Sequence, residues 1–148
     1  MFLTEGSGRM NLLELIRMDE EDVEKYLRTY KVKTLEDAFR LSFFKWLYID
    51  YRIREGTYTE FVEENIAMSS ETCGLCKWDD LMIDENDLDI LDSEHWCKFC
   101  PVKDDAPICF REFYQWRFGE ATAMDVYVRL AREWEWLLQR GEVEPFEL

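Results

Sequence analysis

The stretch Cys73-Gly-Leu-Cys76, followed after twenty residues by Cys97-Lys-Phe-Cys100, is the most informative part of this chain of 148 residues. Two cysteines separated by two residues can direct both thiolates at one ion from a single short turn, and a tetrahedral zinc ion takes four such ligands. The two pairs therefore predict one structural zinc ion per chain. Four thiolates leave no open position for water, so catalysis at the metal is not expected.

Two further residues are alternative ligands. Cys109 could replace one of the four thiols, although its apolar neighbours in an expected helix favour a buried thiol that does not bind metal. His95, the only histidine, precedes Cys97 by two residues, and a role beside the metal or at the surface is favoured over coordination. An iron–sulfur cluster, a disulfide and free thiols remain alternatives to zinc.

The eight carboxylates between the two cysteine pairs predict a binding surface for a basic protein. They are Asp79, Asp80, Asp84, Glu85, Asp87, Asp89, Asp92 and Glu94. A solvated loop or an edge strand is the simpler interpretation, with the intervening apolar residues turned partly inward. Calcium is not expected, because no window of this segment has the glycine that an EF-hand loop places at its sixth position.

The net charge of −15 restricts the partners of this chain. Residues 69–110 carry eleven acidic and three basic residues, and so contribute more than half of that charge. Such a field repels nucleic-acid phosphates and anionic lipids, and it attracts basic surfaces. Direct nucleic-acid binding and membrane association are therefore not expected, and the oligomeric state is left open.

The composition predicts one globular domain in the cytoplasm of a cell or of a virus host. A hydrophobic fraction of 47% argues against a disordered chain, and no apolar run approaches the length of a membrane span. The first nine residues lack the basic start and apolar stretch of a secretory signal. Thiols in the cytoplasm are normally kept reduced, which favours metal binding over disulfides.

Capping residues and apolar spacing predict four helices before the first cysteine pair. A short helix is expected over about 11–17, and Asp19 can cap a second one. Thr34 caps a long central helix that ends at Gly56. The segment Thr57–Glu60 has a capping-box pattern for a further helix to about residue 68.

Two more helices are expected after the second cysteine pair. Asp105-Ala-Pro107 has the residues of a helix start, and apolar spacing continues to Gly119. Thr122 caps the last helix, which keeps helical spacing until Gly141, and residues 142–148 are expected to fray. The prediction is a mainly α, single domain over 1–148. Its helical core spans 11–68 and 107–141, and 69–106 form an inserted zinc-binding loop or small β-hairpin.

Aromatic residues at helical spacing are expected to form the core. Phe43, Trp46, Trp116 and Trp134 belong to these stripes, and they lack the interleaved basic clusters of a platform for stacking bases. Trp136 lies off the stripe of the last helix. If exposed, it is a candidate anchor for a partner, because tryptophan is enriched among the residues that carry binding energy.

The spacing of the two cysteine pairs resembles that of zinc ribbons and treble clefs. The wider arrangement, with Lys45-Trp46 on a helix before the pairs and Pro101 and Cys109 after them, resembles small uncharacterised proteins of phages, archaeal viruses and plasmids. Thr72-Cys-Gly-Leu-Cys-Lys77 also resembles the redox motif of thioredoxins. Thioredoxins place that motif after a strand, however, and no β-rich segment precedes it here.

The sequence thus predicts a non-enzymatic, acidic, zinc-binding protein that engages a basic partner. The resemblance itself implies no activity. One concrete version of the prediction is a viral or mobile-element accessory protein that occupies a basic, nucleic-acid-binding surface of a host protein. A zinc-dependent nucleic-acid-binding transcriptional regulator is the first alternative, and a thiol redox or iron–sulfur protein is the second.

Overall fold

The computed structural model describes residues 10–89, 97–104 and 109–148, and within these ranges the chain is mainly helical and has no β-strand. The α-helices are α1 (Leu12–Ile16), α2 (Glu20–Thr29), α3 (Leu35–Arg54), α4 (Glu60–Val62), α5 (Gly74–Glu85), α6 (Arg111–Arg117) and α7 (Ala123–Gln139). A π-helical turn (Glu63–Ala67) and a 3-10 turn (Ser70–Thr72) connect α4 to α5. None of the described helices is long and apolar enough to cross a membrane.

Helix α3 forms the centre of the fold, as the sequence predicts. It contacts α1, α5 and α7, and its middle is buried on nearly every side. Phe39 and Phe43 pack against Trp134 of α7, with ring centroids 5.1 and 6.2 Å apart. Trp46 is also buried, so the predicted aromatic stripes do form core. A helix that is apolar around most of its circumference must be covered by other elements.

Most helix ends lie where the sequence predicts them. Thr34 and Thr122 each accept a hydrogen bond from a backbone N–H in a full capping box, and Gly56 and Gly141 follow α3 and α7 with positive φ. The start of α4 differs, because Thr59 rather than Thr57 supplies the capping oxygen. Asp19 precedes α2 without a side-chain cap hydrogen bond.

Helix α5 corrects the expectation of a loop or hairpin over 69–106. Twelve residues of this segment are α-helical and pack against α3. Leu75, Asp79 and Ile83 recur at four-residue spacing and form the buried side of this helix. Asp79 occupies a core position, and its charge made a buried helix look like a solvated segment.

Two further expectations near the end of the chain are wrong. Helix α6 begins at Arg111, and Cys109 lies before it rather than within it. The expected helix start at 105–107 lies outside the described residues. The last seven residues do not fray, because Val143 is buried and the ring of Phe146 lies 4.6 Å from that of Trp134.

The buried arginine of α3 holds both described ends of the chain. Arg40 donates to the carbonyl of Met10 at 2.6 Å and to that of Glu147 at 2.8 Å. Its guanidinium also lies 4.4 Å from the ring centroid of Phe44. Arg40 therefore holds the terminal segment through a hydrogen bond that the sequence pattern of residues 142–148 does not predict.

Candidate metal centre

The first cysteine pair lies at the start of α5. Cys73 is the residue before the first turn, and its Sγ accepts a hydrogen bond from the backbone N–H of Cys76 at 3.4 Å. A bond from the Cys76 thiol and the nearby charge of Lys45 lower the pKa of Cys73 to about 6. The same bond raises the pKa of Cys76, as does its burial. A thiolate is thus favoured at Cys73, as metal binding requires.

Close packing against α3 fixes this helix start. A Cβ atom at Gly74 would lie 2.2 Å from the carbonyl oxygen of Ala38, so only glycine fits there. The next backbone N–H, that of Leu75, donates to the buried hydroxyl of Ser42 at 3.2 Å. The position of the first cysteine pair therefore follows from the backbone contact between α3 and α5.

Asp79 shapes the second cysteine pair. Its two carboxylate oxygens accept the backbone N–H groups of Cys97, at 2.8 Å, and of Phe99, at 2.6 Å. Cys97 has a φ of 62°, which is uncommon for a residue with a side chain and suits a tight turn. The turn closes with a bond from the N–H of Cys100 to the carbonyl of Cys97 at 3.3 Å.

The thiols of three chain segments gather near one cleft. Cys76, Cys97 and Cys100 line a cleft of about 290 Å³, together with Ser70 and two aspartates. Cys73 and Cys109 interact electrostatically with this group. Burial raises the pKa of Cys100 to about 12, and it raises the pKa of Cys109 further. All five thiols are free and partly buried.

The four thiols are chemically suitable ligands for zinc, but they do not form a complete coordination site among the described residues. Within residues 10–89, 97–104 and 109–148, no three Cys, His, Asp or Glu side chains stand close enough together to hold a metal ion. Four thiols nevertheless are the ligands that structural zinc prefers. Cys73, Cys76, Cys97 and Cys100 would hold the ion, and Cys109 is near enough to remain an alternative. The predicted zinc site therefore stays a prediction.

Lys45 is a functional candidate that the sequence indicates only through a resemblance. This lysine of α3 is 3% exposed, and its ammonium donates to the carbonyl of Ser69 at 3.1 Å. Burial lowers its pKa, whereas the electrostatic influence of Cys73, Cys76 and Cys109 acts in the opposite direction. The signal in the sequence for a special role of Lys45 was its position within the apolar run of a buried helix. This lysine places an amine beside the thiols of Cys73, Cys76 and Cys109.

The predicted acidic binding residues fall into three groups. Asp79 is 4% exposed and bonds to the second cysteine turn, so its assignment to a surface is wrong. Asp92, Glu94 and the alternative ligand His95 lie outside the described residues. The remaining carboxylates are exposed, namely Asp80, Asp84, Glu85, Asp87 and Asp89. We refer to these five residues as the acidic surface.

Cations from α2 and from the start of α5 lie beside this acidic surface. Asp80 and Asp84 share an open groove with Arg28, Lys31 and Lys77. Arg28 already pairs with Glu24 and Glu71. The sequence alone suggested an uncompensated acidic segment, and tertiary structure brings positive charge to one edge of it.

Lys77 joins α5 to the end of α2. Its ammonium donates to the carbonyls of Leu27, Arg28 and Tyr30, the last two at 2.9 and 2.8 Å. Carbonyls at a helix end lack partners within the helix and carry partial negative charge, so an ammonium stabilises them. Burial lowers the pKa of Lys77 to about 8.

Comparison with protein-family models, curated proteins and solved structures finds no match to this chain. The resemblance to zinc ribbons and treble clefs therefore stays a prediction. A function has to be inferred from the chemistry and arrangement of the residues themselves.

Proposed function

We propose that the chain is a non-enzymatic, acidic binding protein whose fold is stabilised by one structural zinc ion. Cys73, Cys76, Cys97 and Cys100 would coordinate the metal. The observation that carries the proposal is the cleft lined by thiols of both cysteine pairs, Cys76, Cys97 and Cys100, with Lys45 close to the first pair. A metal held there would link α5 to the 97–104 segment, which is otherwise fastened to it through Asp79.

Charge around the thiols supports this assignment. Zinc with four thiolates carries about two negative charges, which are costly in a partly buried place. The ammonium of Lys45 and the N-terminus of α5 both offset such a charge. A backbone N–H group also points at sulfur, since that of Cys76 donates to Sγ of Cys73 at 3.4 Å. Hydrogen bonds of this kind orient and stabilise metal-bound thiolates.

The metal content of the purified protein tests the zinc site. Protein prepared under reducing conditions should contain one zinc per chain by elemental analysis. Cys100→Ser should lose most of its zinc to a chelator, whereas Cys109→Ser should retain it and serves as the matched control. Less than about half an equivalent of metal, with all thiols reactive, would rule the site out.

The acidic surface supplies the proposed binding function. We infer that its partner is a basic protein surface, because opposite charges attract and orient two proteins as they approach. The most specific form of the proposal is a cytoplasmic accessory protein of a virus or mobile element that covers a basic surface of a host protein. A basic surface could also compete there with the neighbouring cations of α2.

A lysine-rich helical peptide is a suitable probe of the acidic surface. Asp84→Asn/Glu85→Gln/Asp87→Asn should weaken its binding, mainly by slowing association, and salt should reduce the difference. The variant Glu60→Gln/Glu63→Gln/Glu64→Gln removes the same charge from exposed residues elsewhere and is the control. Equal weakening in the two variants would mean that only net charge matters.

Thiol–disulfide exchange is a second candidate. It is favoured by Cys73, whose pKa of about 6 and position at a helix start suit a nucleophilic thiolate. The Cys73 thiolate would attack a substrate disulfide, and the Cys76 thiol would then release it. The products are a Cys73–Cys76 disulfide and two substrate thiols.

The cleft argues against that second candidate, because it is lined by Cys76 and not by Cys73. A redox protein needs its low-pKa thiol at the surface that meets the substrate. Catalytic reduction of insulin disulfides by the metal-free protein, lost in Cys73→Ser, would favour the redox function and displace the zinc proposal.

A further inference from the structure

One face of α7 differs from the rest of this acidic chain. Arg132, Trp136 and Arg140 follow each other at four-residue intervals, so they lie in one row along the helix. Trp136 is 53% exposed, as its position off the apolar stripe predicts. An exposed tryptophan between two arginines is an unusual composition for an unused surface.

A groove of about 350 Å³ runs between this row and α6. Its lining residues are Arg111, Glu112, Arg129, Arg132, Glu133 and Trp136. Arg129, at the base, is already bonded to Glu112 at 2.7 Å and to Asp104 at 3.0 Å. The charge of Arg129 at the base of the groove is thus neutralised by neighbouring carboxylates. An approaching partner meets mainly the residues at the edges of the groove.

The arginines at the edges of the groove differ in the contacts that they already make within the chain. The guanidinium of Arg140 lies 4.2 Å from the ring centroid of Trp136 and also pairs with Glu142. Arg111 approaches Glu112 only at 3.5 Å. Arg132 makes no hydrogen bond or ion pair with any part of the chain that the structure describes. Its guanidinium can therefore donate two parallel hydrogen bonds to one carboxylate.

Helix α6 extends this surface with two exposed aromatic rings. Tyr114 and Phe118 follow Arg111 by three and seven residues, so the three side chains share one face. Tyr114 is 39% and Phe118 is 59% exposed, and their ring centroids lie 4.8 Å apart. The combined set, hereafter the aromatic–arginine surface, consists of Arg111, Tyr114, Phe118, Arg132, Trp136 and Arg140.

We propose that the aromatic–arginine surface binds an acidic peptide segment of a protein partner. An aliphatic or aromatic side chain of that segment would pack beside Trp136, and a carboxylate would bind Arg132. Tryptophan, tyrosine and arginine are the residue types that most often carry the binding energy of protein interfaces. The proposal goes beyond the proposed function and does not depend on the metal or on the acidic surface.

Charge selects a peptide over the other possible occupants. A single strand of nucleic acid would bring a phosphate with every nucleotide toward a protein of net charge −15 and toward the carboxylates within the groove. A peptide needs only one or two carboxylates. A second copy of the chain carries the same net charge of −15, so repulsion opposes its approach.

A labelled helical peptide of glutamine and leucine with one tryptophan and two glutamates is the direct probe, with anisotropy as the readout. The folded, full-length protein should bind it and should bind the glutamine counterpart at least about tenfold more weakly. Arg132→Glu and Trp136→Ala should each weaken binding of the acidic peptide by about tenfold. Arg17→Glu and Tyr51→Ala alter an exposed arginine and an exposed tyrosine elsewhere and should bind like the unmodified protein.

Several results would overturn this proposal. Absence of binding, or equal losses in the control variants, would remove the surface as a peptide site. Tighter binding of an oligothymidine than of the acidic peptide would instead make it a nucleic-acid surface. A concentration-dependent dimer in sedimentation, abolished by Trp136→Ala, would make it a contact between copies. Circular dichroism of each variant shows whether it is folded before binding is compared.

Discussion

Gly74 lets the start of α5 lie directly against the backbone of α3. Any side chain there would overlap the carbonyl oxygen of Ala38, which belongs to a helix and cannot move aside alone. The glycine lies between the two cysteines of the first pair, so the same residue that allows close packing also fixes where the thiols begin. Its role is steric, because its backbone does not require positive φ.

Gly74→Ala should therefore lower the free energy of unfolding by about 3 kcal/mol in urea titrations, since the added methyl group forces α3 and α5 apart. Gly141→Ala is the matched control. That glycine has a φ of 72° with open space around it, so its variant should lose only about 1 kcal/mol through backbone strain. A loss at Gly74 no larger than that at Gly141 would contradict the close approach.

Asp79→Asn should loosen the turn that contains the second cysteine pair. The N–H groups of Cys97 and Phe99 donate to different carboxylate oxygens, and in Asn one of these oxygens becomes an NH2 group, which cannot accept a hydrogen bond. We expect a loss of about 2 kcal/mol and faster hydrogen exchange at these two amides. Asp80→Asn changes the exposed neighbour and should leave both amides protected. Unchanged exchange in the Asp79 variant would show that the turn holds itself.

At the scale of elements, the sequence predicts where helices begin and end better than it predicts which of their residues are buried. Thr34, Thr122 and the glycines after α3 and α7 act locally, and local chemistry can be read from sequence. Helix α5 was missed because its buried stripe includes Asp79, whose partners come from residues 97–99. The expected helix start at 105–107 lies outside the described residues, and the helix seen after it, α6, begins only at Arg111.

The candidate site shows the same difference between local features, which the sequence predicts, and tertiary contacts, which it does not. The spacing of Cys73, Cys76, Cys97 and Cys100 identified the thiols, because ligand spacing is a local property. Lys45 could not be placed beside them from the sequence, since its neighbourhood depends on how α3 packs against α5. The docking of residues 142–148 depends on Arg40, which lies about a hundred residues away in the chain.

Arg129 links three elements, and its contribution should depend on pH. Hydrogen bonding to Arg129 lowers the pKa of Asp104. Burial opposes the same effect at Glu112, but a backbone N–H and Arg129 together hold its pKa below the usual value. Both carboxyl groups bind protons more readily in the unfolded chain. Their contribution is therefore complete above a pH of about 5.5, well above the unfolded pKa values, and is lost as pH falls through the lowered pKa values.

Arg129→Gln should accordingly destabilise the protein by about 2 kcal/mol at neutral pH and by less in acid, as measured by urea unfolding at several pH values. Arg132→Gln, on the next turn of α7, removes an exposed arginine and should show little effect at any pH. A loss in the Arg129 variant that is independent of pH would mean that packing, and not the ion pairs, holds α6 and the 102–104 segment to α7.

At the scale of the whole molecule, a net charge of −15 opposes the compact state. Part of this repulsion is local. Glu60 raises the pKa of Glu64, which lies at the start of the π-helical turn. It does so through a hydrogen bond and through its own negative charge. Ionised at neutral pH, these neighbouring carboxylates repel each other, and dissolved salt screens such repulsion over distances of about 8 Å.

Raising sodium chloride from low to physiological concentration should therefore raise the melting temperature, by about 4 °C. The variant Glu60→Gln/Glu63→Gln/Glu64→Gln should melt higher than the unmodified protein at low salt and gain less from added salt. Thermal unfolding followed by circular dichroism measures both effects. A melting temperature that falls with salt would indicate that attractive ion pairs outweigh the net repulsion.

The three bonds of Lys77 to the end of α2 make the acylation rate of that amine a measure of an internal motion. The nitrogen can attack an anhydride only after it leaves the carbonyls of Leu27, Arg28 and Tyr30, so each modification records a break in this contact between α5 and the end of α2. Its rate of modification in mass spectrometry, relative to exposed lysines such as Lys33, thus reports how often this contact opens. An acetyl group there would keep the opened form from closing, because the amide that results has lost the charge and two of the three donors.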